Sequence, residues 1–123
     1  MAITRKIAKW LIDKLECDTI PTEVLAINFG IQKVFDGYEI YQIGCDEYYN
    51  DHDTWLLSEI YQPADNFFNL GIESLNLSEN NVYDIYKGEV LSQFSDKKRL
   101  PAQIKFITVT FFNGKPELIK TIN

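Results

Sequence analysis

A chain of 123 residues, 46% of them hydrophobic, has room for one buried core and not comfortably for two. Its 6 glycines and 4 prolines are too few for a fibrous or low-complexity chain, and no stretch approaches the roughly 18 consecutive apolar residues of a membrane span. The net charge of -6 hides a sharper asymmetry: residues 36–86 contain no lysine or arginine but eleven of the chain's 18 acids, leaving seven acids to face all 12 basic residues elsewhere. Nucleic acid and anionic membranes would be repelled by such a segment, whereas a basic protein or a cation would be attracted.

Ile3, Ile7, Trp10, Leu11 and Leu15 recur at helical spacing, with Arg5, Lys6, Lys9 and Lys14 toward the opposite side. They predict an amphipathic helix of about three turns, ended by the 17–21 segment and its proline. The basic start would suit a secretory leader, but Asp13 interrupts the apolar run too early and no small-residue cleavage site follows, so a cytoplasmic protein is expected. Cys17 and Cys45 show no CxxC spacing, and two thiols in a reducing compartment are expected rather than a zinc site or a disulfide.

Over residues 23–35 the period falls to two. Leu25, Ile27, Phe29 and Ile31 alternate with Ala26, Asn28, Gly30 and Gln32, which predicts a strand with one buried face. Asp36-Gly37 is a turn signal, residues 38–43 form the returning strand of a hairpin, and Gly44 ends it. A polar, acidic connection over 45–54 leads to residues 55–62, where Trp55, Leu57, Glu59 and Tyr61 alternate with Leu56, Ser58 and Ile60 as a third strand closed by Pro63. Residues 64–77 carry no clear period and read as a loop with one short element.

Ser78 is suited to cap a second helix, and Glu79 favours its positive end. Val82, Ile85, Tyr86, Val90 and Phe94 make the apolar stripe of that helix, with Lys97, Lys98 and Arg99 at its far end. After Pro101, residues 104–112 are rich in β-branched and aromatic side chains, Asn113-Gly114 is a two-residue hairpin signal, and residues 115–122 return antiparallel. Pro116 assigns this last strand to a sheet edge, where its missing donor does no harm. The order α-β-β-β-α-β-β predicts a single α+β domain over residues 1–123: a two-layer sandwich in which two helices cover a mainly antiparallel sheet of about five strands.

The connection from Gly44 to Trp55 concentrates chemistry. Asp46, Glu47, Asp51 and Asp53 stand among Tyr48, Tyr49 and Trp55, with Glu59 shortly after. Tyrosine and tryptophan bring large contact areas at little entropic cost, and carboxylates steer a basic partner and fix its register. The same acids offer hard oxygen ligands, but no third acid follows Asp53 by two residues, no glycine stands at the turn and no glutamate occupies a bidentate position, so neither a metal nor a cofactor is expected. His52, the one histidine, lies between Asp51 and Asp53, yet no Ser or Cys nucleophile sits in a motif and no glycine-rich phosphate loop occurs, so no catalytic residue is assigned. Lys97-Lys98-Arg99 is short and complements a helix end, which does not suggest nucleic-acid binding.

The stretch Tyr38-Glu39-Ile40-Tyr41-Gln42-Ile43-Gly44, the acidic 46–53 loop, and Trp55 with Glu59 and Pro63 together resemble the small acidic immunity proteins that bacteria encode beside polymorphic or contact-dependent toxins. The resemblance covers about a quarter of the chain and is one of charge habit rather than of a single fold. It implies a cytoplasmic protein that binds a cognate toxin domain, often a basic nuclease, and blocks its active site or an essential surface. Asp46, Glu47, Asp51, Asp53 and Glu59 would then supply attraction and Tyr48, Tyr49 and Trp55 the anchors, on one continuous anionic patch. Two rivals from other classes are a small hydrolase or divalent-metal enzyme using the same acids with His52, and an oligomerising scaffold that pairs through the edge strand near Pro116.

Overall fold

The computed structural model describes residues 2–17, 19–94, 100–112 and 114–122. Two helices, α1 (Ala2–Cys17) and α2 (Glu79–Phe94), accompany six strands: β1 (Ala26–Val34), β2 (Gly37–Cys45), β3 (Glu59–Tyr61), β4 (Phe68–Asn69), β5 (Phe106–Phe111) and β6 (Glu117–Thr121). The strands form one sheet in the order β3-β2-β1-β5-β6, with β4 also paired to β2. The α+β class and the two hairpins agree with the sequence reading. β1 and β2 pair antiparallel from Val34 and Gly37 at the turn to Ala26 and Cys45, and β5 and β6 pair antiparallel with an irregularity between Ile107 and Thr108. The two hairpins are joined by a parallel pairing of β1 with β5, from Ala26 beside Phe106 to Ile31 beside Phe111.

Alternation along the strands assigns the two faces. Ile27, Phe29 and Ile31 of β1, with Tyr38 and Ile40 of β2 and Ile107 and Val109 of β5, meet Ile3, Ile7, Trp10 and Leu11 of α1 and Val82, Tyr86, Val90 and Phe94 of α2 in one buried cluster. Phe29 lies at its centre, 5.2 Å from the Phe94 ring and 6.3 Å edge-on to Tyr86. Both helices therefore lie on this inner face, as two amphipathic stripes require. Ser78 caps α2 as expected, its Oγ accepting the Asn81 N–H at 3.2 Å. Lys87 and Tyr83 of α2 both donate to the Glu117 carboxylate, at 2.6 and 2.8 Å, and tie the helix to the edge strand β6 that follows Pro116.

Three details differ from the sequence reading. β1 is buried on both faces from Ala26 to Ile31, because it is the central strand and its outer face is covered as well. Residues 55–62 do not form one strand: Thr54–Ser58 is a short 3-10 helix that buries Trp55 and leaves Leu57 88% exposed, and only the three residues of β3 follow. A short apolar run such as Trp55-Leu56-Leu57 fits one helical turn as well as a strand, and the burial of Trp55 decides between them. Within 64–77, two short elements, a two-residue β4 and a second 3-10 helix (Ile72–Asn76), stand where one was expected. The Lys97, Lys98 and Arg99 cluster, Asn113, and the side chains of Leu15 and Cys17 lie outside the described residues.

Candidate functional site

Among the described residues, neither α1 nor α2 lies over the outer face of the sheet. Ala26, Asn28 and Gly30 of β1 point outward between Tyr41, Ile43 and Cys45 of β2 and Phe106, Thr108 and Thr110 of β5, as the strand registers dictate. Asn28 is buried there, and its Oδ1 accepts both the Thr108 and the Thr110 hydroxyls at 2.7 Å, so the polar groups in this face satisfy one another. Gly30 leaves room for the Tyr41 ring, which crosses it so closely that a Cβ at residue 30 would fall 2.1 Å from Tyr41 Cζ.

The acidic loop folds back over the end of this face. Trp55, 1% exposed, packs with Ala26 and Cys45 and against Ile43, Tyr48, Leu56 and Phe106 in a second buried cluster. Tyr48 stacks on Phe106 at 4.1 Å and tilts against Trp55 at 5.0 Å. Two backbone bonds and one from a side chain close the loop: the Asp46 N–H donates to Ser58 O at 3.4 Å, the Leu56 N–H to Asp53 O at 3.1 Å, and the Ser58 hydroxyl to Trp55 O at 2.7 Å. Burial pushes the Cys45 thiol up to about 11 despite a hydrogen bond with Ser58 that acts the other way, which makes it a packing group rather than a nucleophile.

Between this loop and the β5–β6 turn lies a cleft of about 320 Å³, with Tyr48, Tyr49, Asp51, His52 and Trp55 on one side and Lys115 and Pro116 across from them. Tyr49 is exposed, stacks on His52 at 4.7 Å and donates to Glu47 at 3.3 Å; the Glu47 charge raises its hydroxyl pKa. His52 Nδ1 shares a 2.6 Å hydrogen bond with the Thr54 hydroxyl, but its Nε2 is 3.7 Å from Asp51, beyond hydrogen-bond range. The three groups fall within four residues of an exposed loop, and no relay runs through them in this arrangement. Among the described residues no three His, Cys, Asp or Glu side chains come together to hold a metal ion, and no helix is long and apolar enough to cross a membrane.

The residues singled out in the sequence divide by role. Asp46, Glu47, Asp51 and Asp53 are exposed in the loop together with Tyr49, Tyr48 is half-buried, and Glu59 is exposed on β3 opposite Cys45. Trp55, expected as a contact anchor, is buried as the strut beneath the loop, and its ring is not open to a partner. Of the six remaining acids, Glu79 and Asp84 are on α2, over the inner face, Asp36 and Glu73 are at the opposite end of β2 from the loop, and Glu39 and Asp65 lie along β2 and beside Asn66 at its edge. The eleven acids thus do not make one continuous patch. The helix between 78 and 94 needs polar residues on its solvent side, and that need takes some of them away from the loop. Among the described residues, none of the eleven is ion-paired with lysine or arginine.

Sequence reasoning missed Lys115 and Pro116, which wall the cleft from the far end of the chain, and it missed the Asn28–Thr108–Thr110 bonds. Asn28 inside an apolar strand and threonines two apart in another were the available signals. No protein-family model, curated protein or solved structure matches the chain.

Proposed function

We propose that the chain is a binding protein that neutralises a basic protein domain through the lobe formed by residues 46–59, the role implied by its resemblance to immunity proteins, with a toxin domain such as a nuclease as the partner. The observation that carries this reading is the loop itself: four exposed carboxylates, Asp46, Glu47, Asp51 and Asp53, none ion-paired with lysine or arginine among the described residues, stand around Tyr48 and Tyr49 on a base fixed by Trp55. Such carboxylates attract and orient a cationic surface over roughly a Debye length, about 8 Å at physiological salt. The tyrosines then supply contact area that is already ordered by stacking on Phe106 and His52, so little side-chain entropy is lost on binding. Lys115 across the cleft orients the arrangement, because a cationic partner favours the loop side over the β6 side.

The test is titration of the protein with a panel of basic nuclease toxin domains, at low and high ionic strength, against the double variant Asp51→Lys/Asp53→Lys. The wild type should associate faster at low salt, and the variant should associate at least about tenfold more slowly with a weakened salt dependence. Equal association rates for the two proteins would exclude the loop as the binding element.

A further inference from the structure

Asn66 completes the outer ladder of β2 where β3 and β4 leave a gap: its Nδ2 donates to Gln42 O at 2.9 Å and its Oδ1 accepts the Gln42 N–H at 3.0 Å. The two residues flanking it, Asp65 and Phe67, have φ of 52 and 69, and among the described residues they are the only non-glycines in the left-handed region. Aspartate enters that region readily because its short polar side chain can bond locally, but a bulky phenylalanine there is strained. Burial does not repay the strain. Phe67 is 49% exposed, and it is the next residue, Phe68, that turns inward to stack on Trp10 of α1 at 6.4 Å.

What the left-handed turn achieves is placement. It carries the Phe67 ring to the outer face, 5.2 Å from the Tyr41 ring that crosses Gly30. Glu39 is the neighbouring outer-face residue of β2, Asp65 stands two residues before Phe67, and neither is ion-paired with lysine or arginine among the described residues. We propose that Tyr41 and Phe67 form an aromatic shelf for arginine side chains of the basic partner, so that the binding face runs along the outer surface of β2 from the 46–55 loop to Phe67. This inference rests on the reading of the loop given above and extends its footprint. Arginine is the fitting occupant because its planar guanidinium stacks on an aromatic face while its edge donors reach flanking carboxylates, whereas a lysine ammonium is a compact, strongly hydrated point charge.

Calorimetric titration with an oligo-arginine peptide and an oligo-lysine peptide of equal length tests the shelf on wild type, Phe67→Asn and Asp51→Lys/Asp53→Lys. Wild type should bind the arginine peptide about threefold more tightly than the lysine peptide, the scale of one exposed ring–guanidinium contact. Phe67→Asn should lose that preference and keep its thermal midpoint within about 4 °C, because asparagine accepts the left-handed conformation. The loop variant should weaken for both peptides and retain the preference. Equal affinity of wild type for the two peptides, a preference that survives Phe67→Asn, or a larger fall in its midpoint, which would mean the ring is held for packing, each overturns the shelf. An unweakened loop variant, with the preference still lost in Phe67→Asn, overturns the role of the loop while the shelf stands, and a wild type that binds neither peptide overturns both.

Discussion

Replacing Trp55 with alanine separates what holds the candidate site from what the site contacts. The side chain is 1% exposed, and truncating a buried tryptophan costs about 3–5 kcal/mol in transfer and cavity terms. Its cluster is small, with Ala26 and Cys45 buried beside it and the partly exposed Ile43, Tyr48, Leu56 and Phe106 around them, so the vacated space can collapse and admit water. The lower end, about 3 kcal/mol, is therefore expected, still a large share of the roughly 5–15 kcal/mol that holds a domain folded. Urea unfolding followed by far-UV circular dichroism measures the loss, with Trp55→Phe as the control that should forfeit less than half of it. Hydrogen exchange supplies the local readout: amides of 46–58 should lose protection well beyond those of β1, which has the helix layer behind it. A loss under about 1 kcal/mol with the loop amides still protected would show that the loop stands without its tryptophan.

Gly30→Ala places a methyl group where the Tyr41 ring lies, and the overpacking should lower stability by about 1–3 kcal/mol in thermal unfolding, with the Tyr41 and Phe67 ring signals shifting together in NMR spectra. In a Cys17→Ser background, Cys45 should resist iodoacetamide at mildly alkaline pH until denaturant is added, since burial keeps its thiol protonated; rapid labelling of the native protein would contradict that placement. Hydrogen bonds from Lys87 and Tyr83 hold the Glu117 carboxyl below the usual range, so its contribution is present above the unfolded-state value and is lost as pH falls through the lowered folded one. With that side chain 46% exposed, solvent screening keeps the contribution under about 1 kcal/mol, and Glu117→Gln should make urea midpoints slightly less sensitive to acid than those of wild type.

The elements with long, uninterrupted periods were legible in the sequence: α1, the β1–β2 hairpin, α2 and the β5–β6 hairpin all follow from apolar spacing and turn residues. Strand neighbours were not legible. Nothing local in Phe29 or Val109 says that their strands run side by side, and that pairing is what makes β1 central and buries Asn28. The acid-rich loop was visible as composition, but its shape was not, because Trp55 reads equally as a strand residue, a contact residue or a strut until the face beneath it is known. The same limit applies to the 64–71 segment. Its left-handed residues, Asp65 and Phe67, are ordinary in composition, and neither the gap in the β2 ladder that Asn66 fills nor the Tyr41 ring beside Phe67 is visible before the fold is known.

The parallel contact between β1 and β5 also governs how the chain reaches this state. Each hairpin can close early from neighbouring residues, but the bonds from Thr108 and Thr110 to Asn28 join positions 80 and 82 apart, so loop-closure entropy is paid before the central strand gains its second neighbour. During synthesis the β1–β2 hairpin consequently emerges with the β1 edge bare, and it keeps that edge until residues 106–111 have left the ribosome.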